Sequence, residues 1–298
     1  MLAQSPLDIA EPAASVEGRS LWQDARRRLF RNHAAVASLV ILALIVLAAI
    51  FAPLLSPHPF DEVYWDRIGM PPDYANAHWF GTDNNGRDLF VRCLYGARVS
   101  LAVGIAATLV SLLIGVVYGA VSGFLGGKVD EVMMRIVDIL YSLPFMFFVI
   151  ILMVVFGRNI ILLFVALGAV QWLTMARIVR GQTLSVKRKE FIEAAHAAGV
   201  SNWTIVRRHI IPNVLGPVIV YVTLTVPEVI MTESFLSFLG LGVQEPYTSW
   251  GVLISEGAGQ MESAPWMLIY PGLFLGVTLF CFNFIGDGLR DALDPKDR

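Results

Sequence analysis

Long apolar runs separated by short polar segments set the pattern of this chain. A bilayer crossing by a helix takes about 20 mostly apolar residues with almost no charge. Six runs meet that description, at 34–55, 99–125, 136–156, 160–176, 214–241 and 267–285. The third holds Asp138 near its start and the fifth holds Glu228 and Glu233, so length and flanks predict those two spans. Backbone polar groups must be satisfied inside the hydrocarbon, which favours helices. No ten-residue alternation suggests a barrel. The pattern therefore predicts an all-α integral membrane protein with six transmembrane helices. They divide the chain into an N-terminal segment 1–33, a first helix 34–55, a loop 56–98, a five-helix core 99–290 and a tail 291–298.

Composition agrees with that class. Of 298 residues 56% are hydrophobic and only 15% are charged, against about a quarter charged in a soluble globular chain. The net charge of −2 carries little information beside its distribution. Arg19, Arg26, Arg27, Arg28, Arg31, Lys128, Arg135, Arg177, Arg180, Lys187, Arg188, Lys189, Arg207, Arg208, Arg290, Lys296 and Arg298 fall in one set of loops, 17 of the 22 basic residues. Arg67, Arg87, Arg92, Arg98 and Arg158 fall in the other. The positive-inside rule then predicts that both termini face the cytoplasm and that 56–98 and 242–266 are external. The first span is longer than a usual signal-peptide core and lacks a convincing cleavage site, so it is expected to be a retained signal anchor.

Several residue types mark packing and bending. Glycines at 115, 119 and 123 line one face of the second span and predict a close helix–helix seam, either static or sliding. Pro144, Pro217, Pro227 and Pro271 remove backbone donors and are expected to kink their helices. Kinks open cavities, which weighs towards a transporter. Arg135 and Asp138 are spaced for an i, i+3 ion pair. Cys93, placed in a loop, and Cys281, in an apolar run, are expected to be unpaired thiols. The histidines at 33, 58, 78, 196 and 209 show no metal-ligand spacing. An acid inside a span is costly and a candidate for function. Glu228 and Glu233 should lie on different helix faces, each weighed as a cavity or gate group against a carboxylate bonded to a neighbouring helix.

The loop 177–213 carries the most specific signal. Helix formers run from about 186 to 198, and Gly199 suits the left-handed position that ends a helix. Ser201 can cap a second short helix over about 202–211, and Pro212 begins the approach to the next span. Glu193, Ala194, Ala195 and Ala198 form a slim face beside the turn, able to lie deep in a cleft of another protein, where Glu193 could fix the angle. The competing reading is an amphipathic segment on lipid headgroups, with 187–189 binding anionic lipid.

Glu193-Ala194-Ala195, then Gly199 and Ile211-Pro212, resembles the EAA signature of ABC importer permeases, with His209 and Ile211 as mild departures. Gly81-Thr82-Asp83 with Gly86-Arg87-Asp88, Tyr95-Gly96-Ala97-Arg98, the run from Glu233 through Phe235 and Phe238 to Gly242, and Gly286-Asp287-Gly288-Leu289-Arg290-Asp291 to Pro295 resemble further blocks of the oligopeptide, dipeptide and nickel group. The resemblance covers nearly the whole chain from about Gly18. It implies a type I ABC importer permease fold in a bacterial inner membrane. Its partners would be a homologous B-type permease, two cytoplasmic ATPases, a periplasmic peptide-binding protein and membrane lipid.

In that frame Glu193, Ala194, Ala195, Gly199 and Pro212 would couple to an ATPase. Glu228, Glu233, Phe235 and Phe238 would line the path or its gate. No Gly-x-x-x-x-Gly-Lys-Ser/Thr loop occurs, so no cofactor is expected in this chain, and ATP with magnesium would be bound by the partners. The expected role is transport rather than catalysis, with oligopeptide as cargo and dipeptide, glutathione or nickel chelates as alternatives. A self-sufficient secondary transporter is disfavoured by the lack of a convincing internal repeat. An intramembrane enzyme is disfavoured by the lack of a His-x-x-x-His or Gly-x-Ser-x-Gly motif in the spans.

Overall fold

The computed structural model describes residues 21–157 and 159–293. Positions 1–20, Arg158 and the tail from 294, with the charges of Arg19, Lys296 and Arg298, lie outside the described residues. The helices in chain order are α1 (Leu21–Arg31), α2 (His33–Ile50), α3 (Ala52–Leu55), α4 (Leu89–Leu125), α5 (Gly127–Ser142), α6 (Phe145–Phe156), α7 (Ile160–Val186), α8 (Glu190–Ala197), α9 (Asn202–Ile205), α10 (Ile211–Phe238), α11 (Trp250–Ala258) and α12 (Trp266–Leu293). No strand forms among the described residues, only isolated bridges between Asp73 and His78 and between Thr82 and Asp88.

Among the described residues five helices are long and apolar enough to cross a membrane, and α5 with α6 makes a sixth crossing if the bent pair is one span. The third expected span is thus broken, by a 74° bend. Pro144 supplies no donor and crowds its predecessor out of the helical region, and Leu143 is extended at φ −69° and ψ 127°.

Helices α4 and α7 outrun the apolar stretches that announce them, with their charges neutralised by neighbours. α4 begins at Leu89 rather than 99, capped by Asp88, whose Oδ1 accepts from the Val91 amide at 2.8 Å. Its Arg98 donates to the carbonyls of Ala49 and Ile50 at the end of α2, at 2.5 and 2.9 Å. Cys93 is therefore helical and buried, not in a loop. α7 continues past 176 to Val186, and its Arg177 and Arg180 pair with Asp138 and Asp130 of α5 at 2.8 and 2.6 Å. The expected pair between Arg135 and Asp138 is not formed, because Asp138 turns across to Arg177.

The α4–α7 pair is the most extensive helix contact. Gly115, Gly119 and Gly123 face α7 across it. A Cβ on Gly115 would lie 2.6 Å from Met175 Cβ, and one on Gly123 would lie 2.9 Å from the Arg180 carbonyl oxygen. One on Gly119 would overlap the Ala176 carbonyl. The seam is backbone against backbone, the contact that small residues at four-residue spacing permit. α10 packs on both members, and α12 and α2 close the other side. Apolar residues on the outside of α2, such as Val40, Leu44 and Leu47, stay exposed, as a lipid-facing surface requires.

The segment after α3 folds over the end of the bundle as a cap. Asp83 is its hub. Its Oδ1 accepts from the amides of Asn85 and Arg87 at 2.8 and 2.9 Å. Its Oδ2 takes the Arg87 Nε at 2.8 Å and faces the Arg92 Nε at 3.1 Å. Arg92, on α4, is fully buried and also faces Glu256 of α11 at 3.9 Å, while Arg87 reaches Glu245 at 3.0 Å. Burial opposes the Arg87 charge, but Asp83 and Glu245 outweigh it and hold its pKa above the ordinary value. Burial pushes the Glu256 carboxyl up, against the pull of Arg92. These ion pairs join the cap, α4 and α11 into one block.

Two comparisons test this packing in detergent by thermal denaturation. Gly119→Ala should cost about 1–3 kcal/mol, the usual penalty of overpacking, whereas Gly181→Ala, with open space at its Cβ, should be neutral or stabilising. Equal melting temperatures for the two would contradict the seam. Asp83→Ala removes the nearest counter-charge of two buried guanidinium groups, leaving Arg87 only the exposed Glu245 and Arg92 only Glu256 at 3.9 Å, and should cost about 3–5 kcal/mol. Glu245→Ala, at a side chain 59% exposed, should cost under about 1 kcal/mol.

Candidate functional site

The loop after α7 forms the two short helices that its residues predict. α8 ends in a Schellman turn: Gly199, at φ +73°, donates to the His196 carbonyl at 2.9 Å, and Val200 donates to the Ala195 carbonyl at 3.1 Å. Only a residue free of the Cβ penalty takes that conformation cheaply. Ser201 then caps α9, accepting from the Thr204 amide at 3.4 Å.

The second short helix, expected over about 202–211, runs on into the next span without a break at Pro212. A π-helical turn, Val206–Ile210, carries α9 straight into α10. Pro212 has no N–H for that turn, and Asn213 Nδ2 donates to the His209 carbonyl at 2.7 Å. Ile192 and Ala195 are buried, and Ile192 packs with Ile205, Val206 and Ile210 against α4. His196 stacks on Phe124, and Lys187 donates to the Phe124 carbonyl. Glu193 and Ala194 face outwards beside exposed Phe191 and Trp203. The loop is thus fixed to the bundle on one side and presents a free face on the other.

The second feature is a cavity of about 530 Å³ where α5 and α6 bend away from α7 and α10. Leu140, Tyr141, Phe145, Met146 and Phe148 come from the broken pair, Gln171 and Thr174 from α7, and Glu228 and Thr232 from α10. The Pro144 break creates this space. Arg177, held by Asp138, lies 4.5 Å above the Tyr141 ring at its edge.

Glu228 and Glu233 point to different sides of α10. Glu228 is exposed to the cavity. Phe235 and Phe238, both exposed, continue the Glu228 face towards the helix end. Glu233 is fully buried on the other side. Its Oε1 accepts from the hydroxyls of Ser237 and Ser249, both at 2.7 Å, and its Oε2 from Ser100 at 3.5 Å. Ser100 in turn accepts from the Trp250 amide at 3.1 Å, and Ser249 caps α11. Glu233 therefore knots α4, α10 and α11 together outside the cavity. Its serine partners lie as far as 133 positions away in the chain, beyond the reach of spacing arguments.

Folding also assembles a cluster that spacing misses. One ligand atom each from His58, His78 and Asp88 lies within 4.8 Å of the others. The imidazole rings are stacked face to face, 4.0 Å between centroids and 11° between planes. Lone pairs in two parallel ring planes do not converge on one ion. His78 instead bonds to Asp88 at 2.9 Å, while His58 meets the Tyr64 hydroxyl at 2.8 Å and the Asn76 carbonyl at 3.0 Å. The cluster secures the cap to the start of α4.

Known proteins share this sequence along most of its length. The family described as binding-protein-dependent transport system inner membrane component matches residues 111–298, and the N-terminal TM domain of oligopeptide transport permease C matches residues 20–72. The oligopeptide transport system permease protein OppC of Escherichia coli K12 is 66% identical over 283 residues, 95% of this chain and 94% of that protein. The dipeptide transport system permease protein DppC of Bacillus subtilis is 48% identical over 280 residues, 94% of this chain and 87% of that protein. The glutathione transport system permease protein GsiD of Pectobacterium atrosepticum is 38% identical over 279 residues, 93% of this chain and 92% of that protein. With its membrane-crossing bundle, this chain belongs to the binding-protein-dependent transport inner membrane components, multi-pass permease subunits of ABC importers that are not themselves catalytic.

Proposed function

We propose that this chain imports oligopeptides from the periplasm to the cytoplasm as one of two permeases in an ATP-driven complex. The observation that carries the reading is the α8–α9 elbow, which presents Glu193 and Ala194 on a free face while its buried side is packed into the bundle. Both termini and this elbow would face the cytoplasm, where the basic residues concentrate, and the cap would face the binding protein. Two ATPase subunits would bind ATP and magnesium, one of them receiving α8 in a groove. The similarity to the oligopeptide permease supports the cargo. Dipeptides and glutathione, cargoes in the names of more distant relatives, and nickel chelates remain the alternatives.

Ala195 would seat α8 on the bundle, and Gly199 would set the angle between the two short helices. Pro212 would stand at the joint through which elbow motion enters α10. When the ATPases close, α8 would move with them, and the unbroken path from Asn202 to Phe238 would carry that displacement into the cavity. Phe235 and Phe238 would face the partner permease near the outer end of the path. Glu233 would act as a gate contact by holding α10 to α11, rather than by touching cargo.

Copurification with a tagged chain in mild detergent tests the coupling role. ATPase subunits should accompany the wild type and be lost from Glu193→Arg, which reverses the exposed charge, and from Gly199→Asp, which strains the turn. The partner permease should remain bound in each case. ATPase retention in both variants would remove the elbow from the coupling mechanism.

A further inference from the structure

Three carboxylates on the membrane-crossing helices are met by partners in this chain. Asp130 is bound by Arg180, Asp138 by Arg177, and Glu233 by three serines. Glu228 has no side-chain hydrogen bond or ion pair among the described residues. The Thr232 hydroxyl, one turn on, donates to the Glu228 backbone carbonyl at 2.8 Å and leaves the carboxylate free. The residue sits roughly 15 Å from the outer end of α10, at 1.5 Å per residue, deep within the span. An ionisable group at such depth is costly and points to a counter-charge supplied from elsewhere.

The cavity indicates which charge. Among the described residues, Glu228 is the one acidic or basic side chain in its lining. Most of the remaining wall is apolar, with Phe145, Met146 and Phe148 offering adaptable surface to side chains of differing shape. Peptides of varied sequence share a free α-ammonium group and a peptide backbone. Of these, the ammonium matches an unpaired carboxylate, through a charge-assisted hydrogen bond. Gln171, on the facing helix, adds an amide able to serve a neighbouring peptide bond.

We propose that Glu228 is the subsite for the peptide's amino terminus, its carboxylate receiving the α-ammonium group while the Phe145–Phe148 wall takes the first side chains. This rests on the import of peptides proposed above. It assigns a polarity to the cargo in the path: amino end at Glu228, the remainder extending away from it.

The test uses the complete importer in liposomes, with a free-amino tripeptide and saturating binding protein. Glu228→Gln should lower uptake about tenfold or more, the scale of a lost charge-assisted contact, while binding-protein-stimulated ATP hydrolysis persists. Glu228→Asp, which keeps the charge, should recover part of the loss. A photoreactive phenylalanine analogue placed first in the peptide should label the cavity wall, and the same residue placed last should not. Unaltered uptake in Glu228→Gln, or equal labelling from both ends, would overturn the assignment. If the wild-type complex shows no ATP-driven peptide uptake, the importer reading itself fails, whatever Glu228 does.

Discussion

The backbone contact between α4 and α7 is the constraint on which the other features depend. Three glycines on one face of α4 bring its axis close enough for the carbonyls of Ala176 and Arg180 to stand where side chains would otherwise be. That approach fixes α7, and α7 in turn holds α5 through Arg177 and Arg180. α5 then has a fixed start from which the Pro144 break diverges. Without the seam there would be no defined corner for the cavity to occupy. At its far end, α4 carries Arg92 into the cap, so one helix pair positions the cap, the cavity and the root of the elbow.

The route between elbow and cavity is short and follows one helical path. From the Ser201 cap the chain is helical without interruption through the π turn to Phe238. Glu228 and Glu233 lie on that one element, facing opposite ways. In the proposed mechanism, a displacement of α8 reaches both the cavity and the Glu233 knot without passing through a loop. Pro217 and Pro227, inside α10, weaken its hydrogen-bond ladder at two levels, which provides places for bending while the ends stay helical.

Much of this was legible in the sequence. Apolar runs revealed the crossings, Gly199 and Ser201 revealed the elbow, and the glycine spacing revealed the seam. What stayed hidden depended on partners distant in the chain. Arg92, Arg98, Arg177 and Arg180 read as loop charges because a hydropathy scan registers the charge and not the carboxylate or carbonyl that satisfies it. The same blindness assigned Asp138 to the nearby Arg135 rather than to Arg177 on another helix. Glu233 announced itself as an acid in a span, but Ser100 and Ser249, which turn it into a knot, are ordinary residues until folding brings them together. The histidine cluster follows the same rule: His58, His78 and Asp88 are too far apart in sequence to form a motif.

The central claim is that ATP hydrolysis outside this chain drives peptide through the cavity within it. Its most direct measurement is uptake of a labelled tripeptide into liposomes holding the complete importer, with proton and sodium gradients collapsed. Uptake should require both ATP inside the liposome, on the ATPase side, and binding protein outside. Uptake driven by an imposed ion gradient with ATP absent would contradict that claim and make the chain a self-sufficient transporter.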